Sequence, residues 1–186
     1  MIYVPEMIMI GGNSRNSGKT SIACNCIAKL AVTHEVIGLK VTSVRPGEEN
    51  MHGNHDENVS GNFSVFEEID PESHKDTSKM LKAGAAHVYY IRVDEKFMEQ
   101  AILHFMSKYI NKQIIVCESR SLRGIITPGL FLMMMRLPQE GKVKDISDYL
   151  SKADKVFYFG KGLDEIKKFT DNLNFINGFF LGTDEN

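Results

Sequence analysis

The stretch of the sequence that most constrains the fold is IMIGGNSRNSGKTSIACNCIAKL, residues 8–30. A short apolar run ends in two glycines, and Gly18-Lys19-Thr20 then opens a segment whose apolar residues recur at helical spacing. This order is typical of a phosphate-binding loop, in which backbone N–H groups surround the phosphates, a Lys neutralises their charge and a Ser or Thr hydroxyl binds Mg²⁺. The stretch therefore predicts a nucleotide-binding α/β fold.

This loop departs from the usual pattern at its first position. Counted back from Thr20, the pattern G-x-x-x-x-G-K-[ST] begins at Asn13 rather than at a glycine. Asn adopts positive φ more readily than most residues, and a glycine pair (Gly11-Gly12) is expected to supply the turn, so we expect the loop to close. Arg15 is placed to reach a phosphate or a partner's nucleotide. The alternative is a helix N-terminus that begins Gly-Lys-Thr by chance, and the preceding strand and turn favour the loop. The predicted nucleotide-binding residues of the loop are Asn13, Ser14, Arg15, Asn16, Ser17, Gly18, Lys19, Thr20 and Ser21.

The rest of the chain alternates short apolar runs with longer amphipathic ones, which is typical of βαβ units. Strands are predicted at 7–10, 36–44, 88–93, 114–117, 130–135 and 156–159, and helices at 19–31, 73–83, 95–110, 145–151 and 163–173. Asp70-Pro71 is predicted to cap the second helix and Gly84 to end it. We predict one domain over all 186 residues, with an α/β fold: a three-layer, doubly wound, mostly parallel sheet of the P-loop NTPase type.

Charge and cysteine content narrow the partners and the compartment. The 22 Lys and Arg residues are balanced by 24 Asp and Glu, so no basic field indicates a nucleic acid or an anionic membrane as partner. Cys24, Cys26 and Cys117 lie in apolar-rich segments, and we interpret them as structural thiols rather than metal ligands. With no leader and no long apolar run, we expect a cytoplasmic protein.

A loop-like segment and a methionine-rich run complete the pattern. Residues 45–63 are rich in Gly, Asn, Glu and His, which predicts a long mobile loop of the kind that often serves as a lid or a partner contact. Its ligand-type side chains follow no metal-binding spacing, so we favour a solvated loop over a metal site; they are His52, His55, Asp56 and Glu57. The run LFLMMMR, residues 130–136, is read as a buried strand rather than an adaptable interface.

A P-loop also needs an acidic group for Mg²⁺ at the end of a neighbouring strand. The apolar run QIIVCES supplies Glu118 at that place, against the alternative of a surface carboxylate after a buried strand.

Several of these pieces, in this order and spacing, resemble the molybdopterin-guanine dinucleotide biosynthesis protein B family. The matching segments, within residues 6–135, are NSGKTS, VIGLKVTSV, DPESHKDTSKMLKAGA and IIVCES. Lys40 stands inside the second segment and Asp76 inside the third. The chain differs from the family at Asn13, where relatives usually have Gly, and at Ser119-Arg120, where they commonly have Gly followed by an apolar or aromatic residue.

The resemblance implies a GTP-binding protein with Mg²⁺ as cofactor, a homodimer, and a cofactor-maturing transferase as partner in molybdenum-cofactor biosynthesis. Lys19 would neutralise phosphate charge, Thr20 and Glu118 would hold Mg²⁺, and Asp76 would bind the attacking or a metal-bound water. The catalytic residues predicted in this way are Lys19, Asp76 and Glu118, and Lys40 joins the nucleotide-binding set. For Asp76, a first-turn carboxylate favoured by the helix dipole is an equal alternative.

The base and the purpose of the nucleotide stay open. The guanine-reading Asn/Thr-Lys-x-Asp segment has only a partial counterpart here, since Lys161 and Asp164 stand three apart. One function is a GTP-binding accessory protein with slow hydrolysis. A second is an ATP-dependent small-molecule kinase or ligase resembling dethiobiotin synthetase, with a substrate carboxylate bound by Lys40, Arg120 and Arg123. A third is a non-catalytic switch or scaffold whose 45–63 loop orders on nucleotide binding.

Overall fold

A seven-stranded sheet forms the centre of the chain in a computed structural model that describes residues 1–44, 62–136, 146–160 and 163–181. Its strands are β1 (Ile2–Gly12), β2 (Val36–Val44), β3 (Phe63–Glu67), β4 (His87–Asp94), β5 (Ile114–Glu118), β6 (Ile126–Met135) and β7 (Lys155–Tyr158). They lie in the order β3-β4-β2-β5-β1-β6-β7, and all neighbours are parallel except β3 with β4. The predicted mostly parallel sheet is therefore confirmed.

Helices cover both faces of this sheet. They are α1 (Lys19–Leu30), α2 (Asp76–Lys82), α3 (Met98–Tyr109), α4 (Ser147–Leu150) and α5 (Leu163–Asn172). Buried side chains of α1, α2 and α5 share one apolar cluster, whereas those of α3 pack in a second cluster against the opposite face, together with Tyr149 and Leu150 of α4. The chain thus has the three layers of a doubly wound fold, as predicted.

The sequence of β1 explains why both faces are covered. Met7 and Met9 point into one cluster, while Ile8 and Ile10 point into the other, and all four are fully buried. Successive strand residues face opposite sides, so a strand buried on both sides needs an uninterrupted apolar run. Each such side chain contributes about 1.5–3 kcal/mol by leaving water, and this burial fixes the strand that leads into the loop.

The other structural predictions have mixed outcomes. Strand β3 and a separate hairpin of β8 (Asn174–Ile176) and β9 (Phe179–Leu181) were not predicted, and Phe63, assigned to the loop, begins β3. The Asp70-Pro71 cap is wrong, because α2 begins at Asp76 and the Asp70 carboxylate instead accepts a hydrogen bond from the Glu72 N–H at 2.9 Å, within a turn. Gly84 follows α2 with φ of 106°, as a helix-ending glycine should.

The thiols and the methionine run lie in the core as predicted. Cys26 and Cys117 are buried and Cys24 is half-buried, and burial raises the pKa of Cys26 to about 12. Met133 and Met134 are buried in β6. Within the described ranges, no helix combines the length and apolar character that crossing a membrane requires. Of the 45–63 loop, residues 45–61 with His52, His55, Asp56 and Glu57 lie outside the described part of the chain.

Candidate nucleotide-binding site

The loop between β1 and α1 runs from Asn13 to Gly18, so the helix begins at Lys19. Two of its residues have a left-handed backbone, Asn16 with φ of 56° and Gly18 with φ of 90°. The predicted Gly11-Gly12 turn is wrong, because both glycines belong to β1 and pair with Met133 and Met134 of β6. The turn therefore lies later in the sequence, within the segment that a phosphate would contact.

Gly12 is required at the end of β1 because the loop folds back against it. A Cβ at this position would lie 2.6 Å from Ser17 Oγ and 2.9 Å from the carbonyl oxygen of Met134. Real Cβ atoms do not tolerate such approaches, and the Met134 neighbour is backbone that cannot move aside. Gly12 thus serves close packing rather than backbone rotation.

Asn13 closes the loop by a mechanism that the sequence did not predict. Its side-chain amide donates to the carbonyl oxygen of Arg136 at 2.7 Å, and its side-chain oxygen accepts from the Arg136 N–H at 2.9 Å. Asn13 has no positive φ, so the expectation that its backbone tolerance closes the loop is wrong. The side chain instead continues the pairing of β1 with β6 beyond the strand ends.

Lys19 points back into the loop from the first turn of α1. Its ammonium donates to the carbonyl oxygen of Ser14 at 2.8 Å and to Ser17 Oγ at 3.3 Å. Burial lowers the pKa of Lys19, and the nearby carboxylate of Glu118 opposes that shift. The ammonium is thus held by the loop at the place where a β- or γ-phosphate would replace these weaker partners.

Thr20 and Glu118 meet at the boundary between β1 and β5. The register pairs Ile10 with Glu118, and the Thr20 hydroxyl donates to the Glu118 carboxylate at 2.8 Å. Glu118 is 7% exposed, so it is not the surface carboxylate of the alternative interpretation. Hydroxyl and carboxylate oxygens are ligands that Mg²⁺ prefers, and Mg²⁺ commonly takes one or two protein groups plus phosphates and waters. This donor set fits Mg²⁺ with a nucleotide.

A metal centre made of protein groups alone has no counterpart in the described ranges. There, no three His, Cys, Asp or Glu side chains lie close enough together to hold an ion.

An ion pair between Lys40 and Asp76 lies in the same site as Thr20 and Glu118. Lys40, which pairs in register with Glu118, forms an ion pair with Asp76 in the first turn of α2. Lys79 approaches the other oxygen of Asp76 at 3.2 Å. Burial would raise the pKa of Asp76, but the hydrogen bonds and charges of Lys40 and Lys79 outweigh it and hold that pKa below its usual value. Asp76 is therefore a helix first-turn carboxylate that also faces the site.

The two arginines after β5 have different positions. Arg120 donates from Nη1 to the carbonyl oxygen of Gly12 at 3.2 Å, and its guanidinium lies 5.2 Å from the ring centre of Tyr149. Arg123 donates to the carbonyl oxygen of Ile126 at 3.2 Å and does not line the cleft. The predicted pairing of Arg123 with a substrate carboxylate is therefore wrong, whereas Arg120 and Lys40 lie where that prediction placed them.

These groups line one open cleft of about 670 Å³. Of the predicted site residues, those that line it are Arg15, Asn16, Ser17, Gly18, Lys19, Thr20, Ser21, Lys40, Asp76 and Glu118, while Asn13 and Ser14 do not. Lys161 lies outside the described residues, and Asp164, in the first turn of α5, does not line the cleft. Lining residues that the sequence reasoning did not assign to the site are Val41, Thr42, Ser43, Lys79, Ser119, Ser121 and Phe159.

Lys79 and Phe159 carried weak signals in the sequence. Lys79 stands three residues after Asp76, the spacing that places side chains together on a helix. Phe159 follows the last strand of the sheet, and its ring packs so tightly on Gly18 that a Cβ there would be 3.0 Å from Cδ2. The ring is 47% exposed and forms the cleft wall on the β7 side.

Comparison with known proteins places the fold. No family model matches the chain, and no curated protein matches its sequence. Among solved structures, it is similar to the crystal structure of the "apo" form of LpxK from Aquifex aeolicus in complex with ATP, with a TM-score of 0.51 and 16% identity over 87% of this chain. The chain spans about half the length of that LpxK chain, 50% of which is covered.

Together with the sheet order and the strand-loop-helix at β1, this likeness shows an α/β fold of the P-loop NTPase type. The P-loop NTPase-like fold that the family resemblance implies is therefore confirmed, whereas the comparisons do not support the molybdopterin-guanine dinucleotide biosynthesis protein B family itself.

Proposed function

We propose that this chain binds a Mg²⁺-nucleoside triphosphate in the cleft and cleaves its terminal phosphate. The observation that carries the proposal is the convergence of Lys19 and the Thr20–Glu118 pair at the N-terminus of α1. The free N–H groups of that helix end and the ammonium favour phosphate, and the oxygen pair favours a divalent cation. The ATP in the LpxK structure is compatible with a nucleotide in the same fold.

Each group has a task in the proposed reaction. Lys19 exchanges its bonds to Ser14 and Ser17 for the phosphate oxygens, while Thr20 and Glu118 hold Mg²⁺. When bound, the cation neutralises charge on the β- and γ-phosphates. Asp76 faces the cleft as a carboxylate, because its ion pairs keep it ionised, and it orients the attacking water or hydroxyl group by accepting its hydrogen bond.

For the biological role, we propose a GTP-binding accessory protein with slow GTPase activity in molybdopterin guanine dinucleotide biosynthesis, acting as a homodimer with a cofactor-maturing transferase. The support is the ordered set of segments around Lys19, Lys40, Asp76 and Glu118 that resembles the family named above. Among the described residues that line the cleft, the carboxylates are Asp76 and Glu118, which have other tasks in the proposed reaction, so guanine preference rests on the resemblance.

A second candidate is an ATP-dependent kinase or ligase for an anionic small molecule. Its specific support is that the lining of the cleft also includes Thr42 and Ser43 of β2, together with the cationic side chains of Lys40 and Arg120. Such cationic groups are suited to a carboxylate or phosphate of a second substrate.

The test is calorimetric titration of the protein and of Lys19→Ala with Mg²⁺-GTP and Mg²⁺-ATP, followed by a phosphate-release assay. Lys29→Ala is the matched control, since Lys29 lies in the last turn of the same helix, away from the loop. Micromolar binding that Lys19→Ala loses and Lys29→Ala keeps supports the proposal, with GTP preference favouring the accessory protein and ATP preference the kinase or ligase. Failure of both nucleotides to bind the unaltered protein refutes it.

A further inference from the structure

Arg120 lies just after the end of strand β5, in the same cleft as Lys19. Strand β5 ends at Glu118, beside Ile10 of β1, and the Ser119 N–H donates to the Ile10 carbonyl oxygen at 3.1 Å. This bond holds the segment after β5 beside the end of β1, which leads into the loop. Arg120 follows directly, so its side chain starts two residues from the acid that is placed to hold Mg²⁺.

The guanidinium of Arg120 is positioned from two sides. Nη1 donates to the carbonyl oxygen of Gly12, the last residue before the loop, and the Tyr149 ring lies 5.2 Å away. A guanidinium has five N–H donors. Within the described residues, one of them is engaged by Gly12, and the side chain lines the cleft. The group is therefore held in a defined position with donors left for a ligand.

The charges around Arg120 indicate that this ligand is an anion. Burial lowers the pKa of the Lys19 ammonium, the charges of Lys40 and Arg120 lower it further, and the carboxylates of Glu118 and Asp76 oppose that shift. Among the described residues, Arg120 forms no ion pair, whereas Asp76 is shared by Lys40 and Lys79. Like charges repel each other, so an anionic ligand that contacts both Lys19 and Arg120 would be favoured electrostatically.

We propose that Arg120 is a catalytic residue that binds a γ-phosphate oxygen and stabilises the charge that develops as the phosphate is transferred. This inference rests on the proposed function. In the step, a water oxygen forms a bond to the γ-phosphorus, and the bond from that phosphorus to the β–γ bridging oxygen breaks. The electron pair stays on the departing diphosphate, and the water's proton passes to solvent by way of the phosphate product. Arg120 thus supplies from within the chain the cation that other P-loop proteins obtain from a partner.

Arg120→Lys tests this role, because Lys keeps a positive charge and loses the planar fork of donors. Arg123→Lys is the matched control, because Arg123 lies outside the cleft in the 3-10 turn Ser121–Gly124, which directly follows Arg120. For Arg120→Lys we expect the single-turnover cleavage rate to fall about 10²–10³-fold. We expect the Kd for the Mg²⁺ complex of a non-hydrolysable triphosphate analogue to change less than about threefold, because uniform binding and transition-state binding are separable.

Binding of the Mg²⁺-diphosphate with aluminium fluoride, which imitates the transferring phosphate, separates catalysis from structure. We expect the unaltered protein and Arg123→Lys to bind this complex and Arg120→Lys to lose that binding. If Arg120→Lys lost affinity for the triphosphate analogue and for the aluminium fluoride complex by the same factor, the inference would be overturned. An unchanged cleavage rate in Arg120→Lys would also overturn it. Thermal unfolding of each variant is measured alongside, and Arg120→Gln is substituted if the Lys variant unfolds.

Failure of the two proposals is distinguishable in this design. If the unaltered protein binds no triphosphate, the proposed function fails and the role of Arg120 fails with it. If the protein binds and cleaves the triphosphate as well after Arg120→Lys as before, only the role of Arg120 fails. Binding without any cleavage likewise overturns the role of Arg120 and leaves nucleotide binding in place.

Discussion

The hydroxyl of Thr20 and the carboxylate of Glu118 are joined by a hydrogen bond of 2.8 Å although the residues stand 98 positions apart in the chain. The bond links the first turn of α1 to the end of β5, two elements that meet because β5 lies beside β1 in the sheet. A hydroxyl donating to a buried carboxylate leaves the other lone pairs of both oxygens available, so the pair is organised for a cation before one arrives.

Glu118→Gln should weaken Mg²⁺ binding while leaving the fold intact. The amide keeps the shape and still accepts a hydrogen bond from Thr20, but it removes the negative charge that the cation needs. We expect the Mg²⁺ concentration for half-maximal phosphate release to rise about 10- to 100-fold. A Mg²⁺ titration of the release rate measures this. Glu165→Gln, an exposed carboxylate of α5, should not shift that midpoint, and an unchanged midpoint for Glu118→Gln would contradict the metal assignment.

Asn13→Gly should destabilise the protein although it restores the usual first residue of the loop. Two hydrogen bonds with the backbone of Arg136 are lost, each worth about 0.5–1.5 kcal/mol. We therefore expect the free energy of unfolding in urea to fall by about 1–3 kcal/mol. Asn16→Gly is the contrasting variant, because its φ of 56° suits glycine, and it should leave stability nearly unchanged. A stable Asn13→Gly would show that the side-chain bonds contribute nothing.

Gly12→Ala should disturb the loop, because its Cβ would collide with Ser17 Oγ and with the backbone of Met134. We expect nucleotide affinity to fall at least about tenfold, a cost of roughly 1.4 kcal/mol, together with a lower unfolding temperature. Gly124→Ala is the control, since a Cβ there meets nothing within 4 Å. Calorimetry and thermal unfolding report the two effects, and unchanged affinity for Gly12→Ala would contradict the close packing.

Asp76→Asn should change stability in a pH-dependent way. The folded-state pKa of Asp76 is depressed, so its ionised form stabilises the native state above the unfolded pKa of about 3.9, and this contribution is lost as the pH falls through the folded pKa. We expect the free energy of unfolding of the unaltered protein to exceed that of Asp76→Asn by about 1 kcal/mol or less at neutral pH. This difference should shrink below about pH 4.

Urea unfolding of both proteins between neutral and acid pH measures this difference. Asp148→Asn, whose ion pair with Lys152 is on an exposed helix face, should show little difference at any pH. A difference between Asp76→Asn and the unaltered protein that grows towards acid pH would have the wrong sign for a depressed pKa.

The sheet could be predicted from the sequence because its parallel strands are buried on both faces. Continuous apolar runs such as Met7 to Ile10 and Ile114 to Cys117 allow few other interpretations, and the stripe on α1 has a clear helical period. Strand β3 was not predicted because it is a short antiparallel edge strand. Its residues are half-buried or exposed, so it has no continuous buried apolar run. The β8–β9 hairpin carried a signal that was overlooked, the Asn177-Gly178 pair with φ of 54° and 85°.

In the site, too, residues placed by local sequence patterns could be predicted, and contacts between distant parts of the chain could not. Lys19, Thr20 and Glu118 follow local rules, since each stands at a fixed place after a strand or at a helix start. The contact of Asn13 with Arg136 joins residues 123 positions apart and has no local pattern. The same holds for Phe159 against Gly18, which depends on how β7 is placed beside β6. The 3-10 turn Ser121–Gly124, whose buried residue is Leu122, likewise leaves Arg120 in the cleft and Arg123 outside it.

The cleft draws its lining from chain segments between Gly12 and Phe159, which meet only when the strands of the sheet have paired. A ligand held there binds the folded chain and has no counterpart site in the unfolded one, so it shifts the unfolding equilibrium by mass action. At a free concentration one hundred times its Kd, the shift is about 2.7 kcal/mol. If the ligand is a nucleotide, as proposed, its concentration sets the fraction of the protein that stays folded as well as the rate of nucleotide hydrolysis.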